Sequence, residues 1–146
     1  MLALETWMYR RIVEDAPEAI VVADAEGVIR FWNTGAEELF GYSAAEAVGQ
    51  TLDLIVPAAQ RERHWAGYRQ VMLSGTTRYG RELLAVPGVR KDGARVSLEF
   101  HVVLLRAADD GIAGIAAIIR DVTTRWELER SLRQRVRALE PQGGAS

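Results

Sequence analysis

Cysteine is absent from the 146 residues. That excludes disulfides, thiolate nucleophiles and zinc sites built on thiolates. No apolar run approaches the roughly 20 residues that a bilayer-crossing helix needs. The stretch "MLALETWMYRRIVEDAPEA" has neither the hydrophobic segment nor the small-residue cleavage site of a secretory leader. A cytoplasmic location and no membrane segment are therefore expected. An excess of one charge is missing too: 18 Lys and Arg stand against 20 Asp and Glu. Without a basic field, nucleic acid is not indicated as a partner. There is no P-loop, no G-x-S-x-G, no H-E-x-x-H and no acid–base pair at a recognisable spacing, so the chain does not read as an enzyme. Histidine is scarce, with only His64 and His101.

What is present is an ordered series of element signals. Leu4, Trp7, Met8 and Ile12 recur at helical spacing over residues 2–14, and Pro17 breaks the pattern. "AIVVAD" (19–24) and "VIRFWN" (28–33) flank "AEG" and read as a hairpin that Gly27 permits. Asn33 caps a helix that Gly41 ends. Ser43 and Glu46 form the capping box of the next, which Gly49 closes. Pro57 opens a helix over about 58–73. From residue 78 the pattern becomes β: "RYGRELLAV" and "ARVSLEFHVVLL" flank "PGVRKDG", and "GIAGIAAIIRDVT" is the third long strand. "TRWELERSLRQRVRALE" is helical, and "PQGGAS" is an expected mobile tail.

Strands joined by tight turns, with the helices in one block, predict an α+β fold with an antiparallel sheet. On one face of the second long strand lie Val96, Leu98, Phe100, Val102 and Leu104. Arg95, Ser97, Glu99 and His101 lie on the other, which turns apolar at Val103 and Leu105. Both faces of the last strand are apolar. The outer face therefore needs a cover, either the terminal helices or a second copy of the protein.

"APEAIVVADAEGVIRFWNTGAEELFGYSAAEAVGQ" resembles the first half of a PAS domain. "RKDG" and "IIRDVTTR" resemble the second half, where a D-I/V-T tripeptide leaves the sheet for an output helix. The resemblance spans about residues 10–125. It implies a five-stranded antiparallel sheet with helices on one face, flanked by N- and C-terminal helices. The expected division is 1–14 flanking helix, 15–123 PAS domain, 124–140 output helix and 141–146 tail. It also implies a sensory or dimerisation module, with a small cavity between sheet and helices and an output domain or partner protein. Asp121 is expected to satisfy backbone donors at the start of the output helix.

Candidate chemistry centres on "RERHWAGY". Arg61, Trp65, Tyr68 and Met72 form one stripe of its helix, flanked by His64 and Val71. "RERH" is similar to the context in which haem-binding PAS domains carry their iron-ligating histidine. By that resemblance His64 is the candidate metal ligand to haem b. Arg81 in "GRELL" is the candidate to contact bound gas or pair with a propionate. Tyr68, Val71 and Met72 would line the pocket. The inserted "AVPG" shifts Arg81 relative to that pocket. The other reading of His64 is a half-buried helix residue. His101 lies on the polar strand face and reads as exposed or interfacial. Trp32 and Trp65 can stack on a non-covalent flavin or simply pack. The light-oxygen-voltage adduct and the thioester-linked chromophore both need a cysteine and are excluded.

Leu128, Leu132, Val136 and Leu139 form a stripe that can begin a coiled coil or pack on its own domain. Trp7, Met8 and Ile12 make the N-terminal helix the better dimer element. Two functions are thus expected in parallel. One is a sensory module that binds a cofactor or ligand; the other is a ligand-free module for dimerisation and relay.

Overall fold

The structure, a computed structural model, describes residues 3–77 and 84–141. α1 (Thr6–Asp15) leads into β1 (Ala19–Asp24) and β2 (Ile29–Trp32). Then come α2 (Thr34–Phe40), α3 (Ala44–Ala47), 3-10 turns at Leu52–Leu54 and Ala58–Gln60, and α4 (Arg61–Ser74). β3 (Leu84–Val89), β4 (Arg95–Arg106) and β5 (Ile112–Asp121) complete the sheet, and α5 (Thr123–Leu139) leaves it. The five strands run β2-β1-β5-β4-β3, antiparallel at every junction. The α+β class and the five-stranded antiparallel sheet are those the sequence indicates.

One strand extends beyond its expected span. β3 continues through Pro87 and Gly88 to Val89, and Pro87 stands opposite Ser97. β3 is an edge strand, so a residue without an N–H deprives no second neighbour of a hydrogen bond. The turn proper is residues 90–93, closed by Gly93 N donating to Arg90 O at 2.9 Å.

Period-2 alternation sends Ala19, Val21 and Ala23 of β1, Val96 and Leu98 of β4, and Ile119 of β5 into the core. Trp32, Ala36, Phe40, Leu52 and Tyr68 close it from the helical side. The opposite face carries half-buried Ile20, Val22, Phe31, Ala116 and Ile118. On the same face Val103 and Leu105 stay 49% and 36% exposed. α1 meets this face at its edge, where Tyr9, Val13 and Phe31 line a groove of about 470 Å³. None of the α1 residues is buried, and Trp7 and Ile12 point largely to solvent. The terminal helices leave the outer face incompletely covered.

The exit into α5 is stitched to β4. Asp121 Oδ1 accepts from the Thr123 backbone N–H at 2.9 Å, the role expected of it. Val122 N donates to Ser97 O at 2.8 Å, and Ser97 N donates to Thr123 Oγ1 at 2.9 Å. Arg125 pairs with Glu99, whose side chain is largely covered.

Asn33 does more than cap α2. Its Oδ1 accepts from Ala36 N at 2.9 Å, the cap, and from Ile20 N at 2.8 Å on β1. Its Nδ2 donates to the carbonyls of Val13, Ala16 and Glu18, at 2.9, 3.4 and 3.0 Å. One carboxamide, 2% exposed, thereby joins the end of α1, the start of β1 and the start of α2. Gly35 permits this junction, because a Cβ there would lie 2.3 Å from Glu18 O. Asn33→Ala is expected to lower stability by at least ~2 kcal/mol, since it removes a cap and strands buried carbonyls. Asn33→Asp keeps the acceptor but aims a carboxylate at three carbonyls, and is expected to cost as much. Urea unfolding of both variants checks this.

Candidate functional site

The site is built on α4. Gln60 precedes its first residue, and Gly75 ends it in a left-handed conformation, its N–H returning to Val71 O. Tyr68 is the one buried residue of this helix. Trp65 and Met72 pack on the core in part, so much of its hold on the domain comes from polar side-chain tips.

Three such tips contribute. The Arg61 guanidinium donates to Val56 O at 3.1 Å and to Asp53 O at 3.2 Å. Trp65 Nε1 donates to Asp53 Oδ1 at 2.7 Å. The Tyr68 hydroxyl donates to Asp24 O at 2.5 Å, reaching the end of β1. Burial, and the negative charges of Asp24 and Glu26, push the Tyr68 phenol above its ordinary range, so it stays a donor. Gly27 has φ +82°, and a Cβ there would meet the Trp65 ring at 2.2 Å. Only glycine serves both the turn and the indole that lies over it.

The β1–β2 turn is itself held by Asp24. Oδ1 accepts from Glu26 N and Val28 N, each at 3.0 Å, and Oδ2 accepts from Arg30 Nε at 2.8 Å. Burial alone would raise the Asp24 pKa. The hydrogen bonds from Val28, Arg30 and Glu26, with the Arg30 charge, outweigh it and hold the carboxyl below its ordinary value.

His64 sits one turn before Tyr68 and is half-buried. Its ring meets the Trp65 indole edge-on at 4.8 Å between centroids and lies 5.9 Å from the Tyr68 ring. Its Nδ1 is buried and has no hydrogen-bond partner, and neither has Gln60 Oε1, one turn earlier. Burial lowers the imidazole pKa, against an opposing pull from the Asp53 charge. A neutral, half-buried imidazole with a sealed-off nitrogen has the donor chemistry of an axial ligand to haem. In that respect the residues fit the group.

The other candidates divide. Met72 is half-buried and packs on the core, and Val71 is half-buried beside it. Arg81 lies outside the described residues. His101 faces the outer side of the sheet, opposite Ile118, away from α4. Trp32 is buried, meets the Phe40 ring at a tilt with centroids 5.4 Å apart and donates to Tyr42 O at 3.0 Å, so it is core. Trp65 is committed to Asp53 and Gly27. A second cleft, about 350 Å³, lies by Arg30, Asn33 and Glu37, near the end of α1. Neither it nor the groove at Phe31 is lined by His64. Sequence reasoning missed Asp24, Asp53 and Gln60. The Asp-x-x-Gly spacing of the turn was the available signal for Asp24, and the other two carry none.

The family model for the PAS fold matches residues 13–127. The chain belongs to the PAS-fold family. Among curated relatives, Sensor protein FixL of Bradyrhizobium diazoefficiens is 30% identical over 128 residues, 86% of this chain and 24% of that protein. Oxygen sensor protein DosP of Escherichia coli is 24% identical over 120 residues, 82% of this chain and 15% of that protein. The chain thus spans about a quarter or less of these relatives' length. The solved PAS domain of a Colwellia psychrerythraea protein superposes with a TM-score of 0.70 at 26% identity, covering 81% of this chain and 97% of that one. Within this PAS domain, α4 with His64 and the Asp24 turn beneath it form the candidate site.

The Asp24 carboxyl supplies a pH test of that turn. Its folded pKa is depressed, so the unfolded chain binds the proton more readily. Its contribution is complete above the ordinary carboxylate value of about 4 and is lost as pH falls through the folded value. Asp24→Asn is expected to lose less stability than wild type on acidification from pH 6 to 3. Urea midpoints across that range check it.

Proposed function

We propose that this PAS domain is the sensory part of a larger signalling protein. It holds a small cofactor or ligand against α4 and relays the change to an output partner through its flanking helices. Haem b ligated by His64 is the specific form of this reading. The observation that carries it is the half-buried imidazole of His64, kept neutral by burial, with Nδ1 sealed off and unpaired. Kinship with FixL and DosP, named as a sensor and an oxygen sensor, supports it.

Haem, when bound, supplies an iron site for a diatomic gas or an electron. His64 would hold the iron, with Tyr68, Val71 and Met72 lining the pocket. Arg81 would supply a cation for a propionate or a donor to a bound gas. The domain performs no catalysis of its own and works in the cytoplasm. The stitched junction of β4 with α5 is the route outward, through Ser97, Glu99, Thr123 and Arg125. One observation favours a second reading, a ligand-free dimerisation module. Apolar residues are exposed on both flanking helices, Trp7 and Ile12 on α1 and Leu128, Leu132 and Val136 on α5.

Haemin titration of the purified chain tests the first reading. A Soret band saturating at one haem per chain, and lost in His64→Ala, is expected. No band in wild type, or an undiminished band in His64→Ala, contradicts it. A flavin spectrum in the purified protein replaces haem by non-covalent flavin. A cofactor-free homodimer in light scattering, with no haem uptake, leaves the second reading.

A further inference from the structure

Two buried side-chain atoms among the described residues lack a hydrogen-bond partner, Gln60 Oε1 and His64 Nδ1. Gln60 is the N-cap of α4, and His64 lies four residues on, at the end of the first turn of the helix. Buried polar atoms in native proteins are rarely left unpaired, so such a pair calls for an explanation.

Their chemistry is complementary in one way only. A carboxamide oxygen accepts and cannot donate. An imidazole Nδ1 donates in one neutral tautomer and accepts in the other. The two atoms therefore satisfy each other only when Nδ1 carries the proton. In the structure the two atoms are not bonded to each other, so the pairing requires Gln60 to turn about its side-chain torsions. Two neighbouring groups are engaged elsewhere in part: Asp53 Oδ1 accepts from Trp65 Nε1, and the Arg61 guanidinium donates to the carbonyls of Val56 and Asp53.

We propose that Gln60 is the positioning residue of His64: its carboxamide oxygen accepts from Nδ1–H and so leaves Nε2 unprotonated, as a free lone pair. A metal or a donating ligand is then met by Nε2 in a fixed ring orientation. The link to haem rests on the reading of His64 given above; the tautomer itself does not. Outer partners of ligating histidines act in this way, and losing one typically weakens metal binding 10- to 100-fold.

The test uses the full chain without cofactor. Long-range proton–nitrogen NMR of the ¹⁵N-labelled protein, above the pH at which His64 titrates, reports which ring nitrogen is protonated. Wild type is expected to show Nδ1–H at His64. Gln60→Leu is expected to shift it to Nε2–H, the form free histidine prefers in water. Gln60→Glu, which keeps an acceptor, is expected to retain Nδ1–H. An Nε2–H tautomer in wild type overturns the proposal without any variant, and so does an unchanged tautomer in a folded Gln60→Leu. Haemin titration of the same proteins separates the two readings. A tautomer that follows Gln60 in a chain taking up no haem sinks the haem reading and leaves this one. Haem uptake is expected to be about 10-fold weaker in Gln60→Leu.

Discussion

The side chain of Asn33 is the contact on which the frame of this domain depends. Each of its two polar atoms is shared among separate elements, so α1, β1 and α2 meet in one geometry or not at all. The junction is buried: Asn33 is 2% exposed, and Ala19 and Ala36, in two of the segments it bonds, are 1% and 0% exposed. Low local polarity strengthens each hydrogen bond and raises the penalty for losing any. β1 lies between β2 and β5, so the fixed junction extends into the centre of the sheet.

α4 is attached on a different principle. It buries Tyr68 fully and Trp65 and Met72 in part, and it adds polar tips on Arg61, Trp65 and Tyr68 that reach Asp53, Val56 and Asp24. Hydrogen bonds of this kind contribute about 1 kcal/mol each, well below what a packed apolar face supplies. A helix so attached is expected to open at lower cost than the strands beneath it. The candidate ligand stands on this wall, over a sheet whose far side feeds α5 through Ser97 and Thr123. A fixed frame and a yielding wall are what a domain needs if a small ligand is to move one part against another.

Much of this frame was legible in the sequence because local chemistry dictated it. The Ser43–Glu46 capping box, the Gly27 hairpin and the alternating inner face of β4 follow from short-range rules. The continuation of β3 through Pro87 was not legible, since only topology reveals an edge strand. The cap role of Asn33 could be read; its bonds to Val13, Ala16 and Glu18 could not, because they join segments that the sequence separates. For the site, helical periodicity placed Tyr68 in the buried stripe of α4 and His64 at its border. It said nothing of Asp24 or Asp53, partners that come from turns elsewhere in the chain. The apolar outer face was visible in the sequence. Its incomplete cover by α1 was not, because periodicity gives a helix its face but not its docking position.

Native-state hydrogen exchange tests most directly whether a fixed frame carries a yielding wall. The amides of Ile20 and Ala36, which donate to Asn33 Oδ1, are expected to exchange only through global unfolding, with its full denaturant dependence. Amides in the middle of α4 are expected to exchange through a smaller opening, at lower free energy and with a shallower dependence. If the α4 amides instead share the free energy and slope of Ile20 and Ala36, the helix is part of the frame and the account is wrong.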